Sequence, residues 1–332
     1  MDYMDFLFDK QGGGGFSLAE DEESEWLITG GRLGKIPIKN GIPRFVSSNS
    51  YAENFGIQWN EFRKVQLDSY TKIPLSERRI QRILGKHFFE LENKLVLEAG
   101  CGAGRFTEVL SKKTNTLVSL DISNAVDAAY LNLNSQNPNV KFLQADILDL
   151  PLKRNFFDVA ICVGVLQHTP NTLESMREIV ACVKPGGWIF VDHYKLKSKN
   201  LYPPIGGFGN VFRLFVRRLE PSQALSVSRK WVEFFFPIHW RYKDSRILES
   251  LLFRISPVRF YYPWLGLDEK QDYFNWAVLD TYDGSADKFK RRRTKRKLLS
   301  EIESLGVVNI EVWEDGNGLE ARFQKPQVLL AP

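Results

Sequence analysis

This 332-residue sequence has no long apolar run, only three cysteines and no basic start at its N-terminus. No run approaches the roughly 18 apolar residues of a transmembrane helix. The opening residues, MDYMDFLFDK, carry acids where a secretory signal has a basic start. The three cysteines, Cys101, Cys162 and Cys182, include no C-x-x-C pair, which argues against a disulfide framework and a four-cysteine zinc site. We therefore expect a cytoplasmic protein without a metal.

The excess of positive charge is confined to one short stretch of the sequence. The formal net charge is +5, and eight of the ten residues at 288–297 are Lys or Arg, so the remainder is slightly acidic. Nucleic-acid binders usually spread positive charge over a whole face, so nucleic acid is not the expected partner. Three interpretations of 288–297 stay open: a solvated helical face, a contact with phosphate or anionic lipid, and a contact with RNA.

The N-terminal segment, residues 1–50, is expected to be poorly ordered and to end in a small hairpin. Four glycines at 12–15 and five acids within 20–25 bury little apolar surface. In KIPIKNGIPRFV, by contrast, Asn40-Gly41 is a strong turn signal between β-branched residues.

From residue 95 onward, short apolar runs alternate with helical stretches, as in LVLEAG, TLVSLDIS, VKFLQAD, FFDVAICVGV and GGWIFVDHY. This alternation indicates βαβ units around a parallel sheet that is buried on both faces. Near the C-terminus, Gly316-Asn317-Gly318 joins VVNIEVWED to LEARFQK as a hairpin. The predicted fold is α/β: a doubly wound, Rossmann-like sheet of seven mostly parallel strands, with the last strand antiparallel.

Residues 195–270 interrupt that alternation and predict an inserted helical cap between two parts of the core, 51–194 and 271–332. Between Trp231 and Trp264, 11 of 34 residues are aromatic, and FFFPIHW and FYYPWLGL have basic neighbours. Three roles stay open for these aromatics: simple packing of the cap, binding of a sugar ring or flat acceptor, and peripheral contact with a membrane.

The most specific motif is a glycine-rich turn between a buried strand and a helix. Glycines there permit positive φ and a close approach of a ligand, at the edge where open α/β sheets bind ligands. Arg105 stands where a dinucleotide fingerprint has its last glycine, and a Walker lysine is missing, which argues against NAD and ATP. The motif consists of Glu98, Gly100, Cys101, Gly102 and Gly104.

Together with LQHTP at 166–170 and VKPGG at 183–187, this motif resembles the class I S-adenosylmethionine-dependent methyltransferases, of the type 11-like group. The resemblance covers about residues 51–193 and implies S-adenosyl-L-methionine as cofactor. It implies that Asp121 holds the ribose hydroxyls and that Asp146 accepts from the adenine amine. A helix-capping role for Asp121 and a turn role for Asp146 stay open. The implied cofactor residues are Glu98, Gly100, Cys101, Gly102, Gly104, Asp121, Ile122, Asp146, Ile147 and Val163.

Two N-terminal stretches carry further resemblance. In YAENFGIQW, the family likeness implies a helix over the cofactor, with Phe55 or Trp59 facing the sulfonium and Gln58 bonding the methionine carboxylate. Plain packing of these aromatics on the sheet is the alternative. IPIKNGIPRFV resembles the last strands of a zinc ribbon without its cysteines, which implies a degenerate, metal-free remnant.

His168 and His193 are the candidate catalytic residues, because both follow strands that end at the ligand-binding edge of the sheet. Methyl transfer from a sulfonium is an in-line displacement that depends on positioning, and a hydroxyl nucleophile often needs a base. His168 is equally open to shaping its loop or bonding the acceptor. Asp280 and Asp283, on either side of Tyr282, are a second candidate for the base.

The sequence as a whole predicts methyl transfer to a hydroxyl oxygen of a small-molecule or saccharide acceptor. No Asn/Asp-Pro-Pro-Tyr signature, which marks many nucleic-acid and protein amino-group methyltransferases, follows the fourth strand of the core. Two alternatives stay open: an RNA methyltransferase that uses residues 288–297, and a cofactor-binding pseudo-enzyme that acts as an interaction module.

Overall fold

The computed structural model describes residues 1–10, 13–20, 25–31, 33–46, 51–197, 207–261, 263–316 and 318–327. Within these ranges the strands form two separate sheets. In chain order the strands are β1 (Ser17–Glu20), β2 (Glu25–Ile28), β3 (Lys35–Lys39), β4 (Ile42–Pro43), β5 (Leu95–Ala99), β6 (Thr116–Asp121), β7 (Val140–Gln144), β8 (Phe157–Cys162), β9 (Val183–Tyr194), β10 (Val308–Trp313) and β11 (Gly318–Gln324).

Helices flank both faces of the larger sheet and form the cap. Short 3₁₀ segments at Gly85–Glu90, Asn134–Gln136 and Leu166–His168 complete the regular structure of the described residues. The α-helices are α1 (Tyr3–Phe6), α2 (Glu53–Glu61), α3 (Asp68–Thr71), α4 (Leu75–Leu84), α5 (Thr107–Leu110), α6 (Ala125–Leu133), α7 (Thr172–Cys182), α8 (Phe208–Val216), α9 (Pro221–Arg241), α10 (Arg246–Ile255), α11 (Lys270–Ala286) and α12 (Lys295–Glu303).

The larger sheet has the strand order β10-β11-β9-β8-β5-β6-β7. Strands β5 to β9 pair in parallel, and β11 runs antiparallel to both β9 and β10. Neighbouring residues on each strand enter opposite clusters: Leu97 and Val118 lie in one, Val96 and Leu117 in the other. Burial of both faces explains the continuous apolar runs of the sequence. The predicted seven-stranded, Rossmann-like sheet with its antiparallel last strand is confirmed.

The N-terminal segment is more structured than the sequence suggests. Strands β1 to β4 form an antiparallel sheet, and β3 meets β4 at the predicted turn, where Asn40 and Gly41 have φ values of 54° and 74°. Phe6 and Leu7 are fully buried against the core of the larger sheet. Burial of these two apolar side chains stabilises the segment, although its glycines and acids had suggested disorder. The predicted runs at 12–15 and 20–25 lie in part outside the described residues.

The cap consists of α8 to α11 and extends beyond the expected boundary at residue 270. Tyr273 and Trp276 of α11 are buried with Val232 and Phe236 of α9 in one apolar cluster. Phe62, which follows α2, belongs to the same cluster and joins the cap to the core. Much of the aromatic content of the insertion therefore packs internally.

The basic run 288–297 does not form the helical face that was one of its expected roles. Only its last three residues belong to α12, whose N-cap Thr294 accepts a hydrogen bond from the Lys297 amide at 3.1 Å. The preceding residues cross the strand ends as extended chain. There the Arg291 and Arg293 amides each donate at 2.9 Å, to the carbonyls of Gln167 and Tyr194.

Candidate active site

A cavity of about 640 Å³ lies at the carboxyl ends of the parallel strands, beneath α2 and α11. This is the edge at which open α/β sheets bind ligands. Most of the residues singled out from the sequence meet here. Its lining includes Phe55, Gln58, Trp59, Gly100, Cys101, Gly102, Asp121, Ile122, Ile147, Val163, His168, Tyr194, Tyr261, Asp280, Asp283 and Lys290.

The glycine loop has two different reasons for its glycines. Gly102 has φ +54° and faces the cavity, where a Cβ would lie 3.2 Å from Nε1 of Trp59. Gly104, with φ +89°, does not line the cavity; a Cβ there would lie 2.8 Å from Leu133 Cδ1. Gly102 therefore keeps room for a ligand and for Trp59, whereas Gly104 allows α6 to pack closely.

Asp121, at the end of β6, both organises this loop and lines the cavity. Its Oδ1 accepts hydrogen bonds from the amide (2.9 Å) and hydroxyl (2.7 Å) of Ser123, and its Oδ2 accepts from the Gly102 amide at 3.0 Å. Burial raises the pKa of the Asp121 carboxyl, although these hydrogen bonds act in the opposite direction. Since a carboxylate offers about four acceptor sites, Asp121 retains capacity for a ligand hydroxyl.

Glu98 lies beneath the loop and does not line the cavity. Its Oε2 accepts hydrogen bonds from the hydroxyls of Thr107 at 2.6 Å and Ser119 at 2.7 Å, while Oε1 has no partner among the described residues. Burial raises the pKa of the Glu98 carboxyl to about 7. The geometry thus supports a role below the cofactor loop and no direct cofactor contact.

Asp146 is not among the residues that line the cavity. Its Oδ1 accepts from the Leu148 amide at 2.9 Å, as in a turn, and from the Tyr51 hydroxyl at 3.1 Å. Tyr51 itself lines the cavity, as does Ile147. The adenine contact of Asp146 stays a prediction, and Tyr51 links its carboxylate to the cavity lining.

Helix α2 closes one side of the cavity with the three residues that the sequence indicated. The Phe55 ring lies 4.9 Å from the His168 ring, and Trp59 packs against the glycine loop. Gln58 is only 1% exposed, and its Nε2 has no hydrogen-bonding partner among the described residues. An unpaired buried amide at the cavity wall is costly unless a ligand satisfies it.

His168 is held at the opposite wall by contacts to one of its two ring nitrogens. Nδ1 lies 3.1 Å from the Phe289 carbonyl oxygen and 3.2 Å from Oδ2 of Asp287. Because both neighbours are acceptors, Nδ1 carries the proton. Nε2 then has the free lone pair, and it has no hydrogen-bonding partner within the described part of the chain.

Asp287, which directly follows α11, is the neighbour that the sequence analysis missed. Its side chain is fully buried and forms ion pairs with Arg213 and, at 3.5 Å, with Lys290. Burial alone would raise the pKa of the Asp287 carboxyl, but the charges of Lys290, His168 and Arg213 outweigh it and lower that pKa. Asp287 is 119 positions from His168, so no local pattern could have paired them.

His193, the other candidate catalytic residue, is not among the residues that line the cavity. Its ring is fully buried, with Nδ1 3.2 Å from the Tyr194 carbonyl and Nε2 3.4 Å from the Thr172 hydroxyl. Burial lowers the pKa of the imidazole to about 4. Since alternate residues of a strand face opposite sides, the neighbouring Tyr194 reaches the cavity instead.

Helix α11 of the cap builds another wall of the cavity. Asp280 and Asp283 of α11 line it, whereas Thr281 and Tyr282 between them are fully buried elsewhere. Burial and the charge of Asp283 raise the pKa of the Asp280 carboxyl well above its usual range. Its Oδ2 is buried without a hydrogen-bonding partner among the described residues, so this wall is prepared for a polar ligand.

Comparison with known proteins gives the same family as the site. Residues 97–191 match the family described as "Methyltransferase domain". A ubiquinone biosynthesis O-methyltransferase of Albidiferax ferrireducens is 27% identical over 153 residues, which are 43% of this chain and 61% of that protein. One of Coxiella burnetii is 30% identical over 151 residues, 43% of this chain and 63% of that protein. The chain thus spans under two thirds of the length of these curated relatives.

Among solved structures, an S-adenosylmethionine-dependent methyltransferase from Aquifex aeolicus aligns with 83% of this chain and 98% of its own, at 14% identity and a TM-score of 0.42. The family match extends from β5 into β9 and so contains the glycine loop, Asp121 and His168. Strand order, cavity and family match agree. Residues 97–191 are therefore similar to a methyltransferase domain, and they lie within a sheet whose strand order is that of the Rossmann-like fold predicted from the sequence.

Proposed function

We propose that the protein transfers a methyl group from S-adenosylmethionine to a hydroxyl oxygen of a small molecule, with His168 as the base. The observation that carries this proposal is the arrangement at His168. Its Nδ1 donates to the Phe289 carbonyl and lies 3.2 Å from the Asp287 carboxylate, and its Nε2 is unpartnered among the described residues, on a ring that lines the cavity.

The residues opposite His168 fit the cofactor. The unpaired Nε2 of Gln58 suits the methionine carboxylate, the remaining acceptor sites of Asp121 suit a ribose diol, and Gly102 leaves the backbone accessible. When bound, the cofactor supplies an electrophilic methyl group on a sulfonium. The rings of Phe55 and Trp59 line the same space, and aromatic faces attract cations.

The proposed role of His168 is to accept the proton of the acceptor hydroxyl at Nε2. The cofactor would supply the methyl group, its carbon–sulfur bond breaking as the oxygen–carbon bond forms and leaving S-adenosylhomocysteine. The imidazolium that results is stabilised by the carboxylate of Asp287 at 3.2 Å. Arg213 and Lys290 keep that carboxylate ionised inside the protein. General-base assistance of this kind contributes about 10²- to 10⁴-fold in rate.

For the acceptor we propose a polyhydroxylated ring, a saccharide being the class that fits best. Asp280 and Asp283 offer carboxyl groups to several hydroxyls, and Tyr194 and Tyr261 border the same wall. Aromatic rings beside hydrogen-bonding carboxyls are the groups expected for a sugar face. The relatives are named as O-methyltransferases of ubiquinone biosynthesis, which supports oxygen as the methyl-accepting atom.

RNA methylation is the less favoured of the candidate reactions. Lys290 pairs with Asp287, Arg293 pairs with Glu301 at 2.8 Å, and Arg291 Nε donates to the Thr169 carbonyl at 3.0 Å. These contacts use much of the basic run to hold the chain across the strand ends. Fewer of its charges are then available to contact phosphates.

The test measures binding and transfer separately. Calorimetry with S-adenosylhomocysteine reports the cofactor site, and radiolabelled S-adenosylmethionine is then offered with glucosides, catechols, amines and RNA. We expect transfer to a glucoside hydroxyl, identified by mass spectrometry of the product. Methyl transfer to nitrogen or carbon, or to RNA, contradicts the proposal. Cofactor binding without any transfer favours the pseudo-enzyme.

The positioning role of Asp287 is tested by Asp287→Asn, with Asp287→Glu as the conservative variant. We expect kcat to fall at least tenfold with little change in KM, because the amide carries no charge to balance the ring once it has accepted a proton. Partial rescue of kcat by Asp287→Glu supports the electrostatic role. No rescue by Asp287→Glu, or an equal loss of affinity for S-adenosylhomocysteine, assigns Asp287 to structure alone.

A further inference from the structure

We propose that one face of the cap docks the protein on an anionic lipid surface. The face, here called the docking face, is formed by the outer sides of α8 and α10. The two helices touch, since a Cβ on Gly207, just before α8, would lie 3.0 Å from the Arg254 Cα of α10. Its apolar members are Val211, Leu214, Phe215, Ile247, Leu248, Leu251 and Ile255.

Helix α10 presents an apolar stripe to solvent. Ile247, Leu251 and Ile255 follow at four-residue spacing, which places them on one side of the helix, and they are 83%, 50% and 54% exposed. On α8, Val211 and Phe215 have the same spacing and are 46% and 56% exposed. Because water-soluble surfaces rarely keep contiguous apolar patches of this kind, such a patch indicates a binding surface.

Charge distinguishes among the candidate occupants. Residues 207–261 contain ten Lys or Arg and four Asp or Glu, a net charge of +6. Arg217 and Arg218 at the end of α8, and Arg246 and Arg254 on α10, are exposed and form no ion pair with another described residue. Like charges would repel a second copy of this face. Anionic headgroups would attract it.

The docking face also continues to the mouth of the cavity. Phe253 of α10 stacks on Tyr261, with ring centroids 5.6 Å apart and planes inclined by 17°. Tyr261 is half-exposed and lines the cavity. Nearby in sequence, Trp264 is 70% exposed, and Trp is typical of membrane interfaces. Resting on the proposed function, this arrangement lets an acceptor carried by a lipid reach the cavity from the bilayer side.

The mode of binding would be peripheral. In the described ranges, no helix is both long and apolar enough to cross a bilayer. Amphipathic helices with basic residues beside an apolar stripe instead lie in the headgroup region. The sequence had suggested FFFPIHW and FYYPWLGL as contacts. In the first stretch Phe236 and His239 are buried in the cap, whereas Phe234 is 69% exposed.

The test is co-sedimentation of the full chain with vesicles of phosphatidylcholine alone, or with about one third phosphatidylglycerol. Neither cofactor nor acceptor is present, so the outcome does not depend on the proposed enzymatic function. We expect binding to the anionic vesicles and loss of binding at high salt. Phe215→Asp/Leu251→Asp, and separately Arg217→Gln/Arg218→Gln, should each weaken the partition coefficient at least tenfold.

Leu131→Asp is the matched control, because Leu131 is 66% exposed on α6, outside the cap. It should bind vesicles like the wild type, and every variant should bind S-adenosylhomocysteine normally, which confirms folding. Absence of binding to anionic vesicles overturns the proposal, as does equal loss in Leu131→Asp. Concentration-dependent dimers that Phe215→Asp abolishes, seen by sedimentation velocity without vesicle binding, assign the face to self-association instead.

Discussion

The two walls of the cavity are constructed by different means. On the cofactor side, Asp121 is fixed by Gly102 and Ser123, all within about twenty positions of one another. On the acceptor side, His168 meets Asp287 across 119 positions, and the wall is supplied by a helix of the cap. The geometry of the cofactor wall is therefore determined by local turns, which a sequence motif can encode. The geometry of the acceptor wall depends on how the inserted cap packs on the core.

Two carboxyl groups, one on each side, also differ in how completely they are paired. Asp121 already has three hydrogen bonds, whereas Oδ2 of Asp280 is buried without a hydrogen-bonding partner in the described part of the chain. A paired group holds a loop in place before any ligand arrives. An unpaired one is costly by itself and gains free energy when a ligand binds. Variants on the two sides should therefore fail in different ways.

The largest expected effect is on the acceptor side, at His168. His168→Ala should lower kcat by about 10²- to 10⁴-fold, because it removes the base, and should leave the affinity for S-adenosylhomocysteine nearly unchanged. Steady-state rates together with calorimetry check both parts. His87→Ala is the control, since His87 does not line the cavity. A loss of less than tenfold would give His168 a role in shaping the loop only.

Below the cofactor wall, Glu98→Gln should change how stability depends on pH. The pKa of the Glu98 carboxyl is about 7 in the folded protein and about 4.5 unfolded, so the folded state binds the extra proton between these values. The contribution of Glu98 to the free energy of unfolding is thus fully present below about pH 4.5. It falls by about 3 kcal/mol as the pH rises to about 7.

Denaturant unfolding of the wild type and Glu98→Gln across pH 4.5 to 8 measures that difference. The variant, which cannot ionise, should gain on the wild type as pH rises. His193 and His239 contribute equally to both proteins and cancel in the comparison. A difference that is independent of pH would show that Glu98 ionises normally in the folded state.

At the cofactor wall itself, Asp121→Ala should weaken S-adenosylhomocysteine binding by about 1–3 kcal/mol, or roughly 5- to 150-fold in Kd. Calorimetry is the measurement. Ser123→Ala separates the two roles of Asp121, because it removes one of the hydrogen bonds that fix the carboxylate and keeps the carboxylate. Equal losses in both variants would mean that Asp121 acts only by holding the loop.

The smallest expected effect is at Asp280. Asp280→Ala should raise the KM for the acceptor about tenfold and leave cofactor affinity unchanged, since it removes one polar partner of the acceptor. Asp280→Asn keeps a hydrogen-bonding group of the same size and should restore much of the loss. If cofactor affinity falls as well, the distinction between the two walls does not hold at this position.

The two candidate histidines show what sequence position could not distinguish. His168 and His193 both follow strands of the core, so position along the chain ranked them together. The structure separates them, because the pleat of β9 turns His193 away from the cavity and presents Tyr194. Successive residues of a strand face opposite sides of the sheet. Which residue faces the cavity at the end of a strand, however, depends on where the pairing with the neighbouring strand stops.

In the N-terminal segment, the sequence suggested less regular structure than the fold contains. Its glycines and acids suggested disorder, yet Phe6 and Leu7 pack into the core and the Phe8 amide donates to the Pro151 carbonyl at 3.0 Å. The partner surface is formed by residues about 145 positions away. Composition reports how much apolar surface a segment has, and it does not report whether another part of the chain will cover it.

By itself, the sequence determined the seven-stranded sheet and the glycine loop, and its family resemblance implied the cofactor class. The sheet and the loop depend on periodicity or on turns a few residues long, which local physics specifies. The tertiary structure alone decided that Asp287 faces His168, that Tyr51 bonds to Asp146, and that α8 and α10 expose an apolar, basic face. These features arise from contacts between distant segments, and their geometry exists only once the cap has packed on the core.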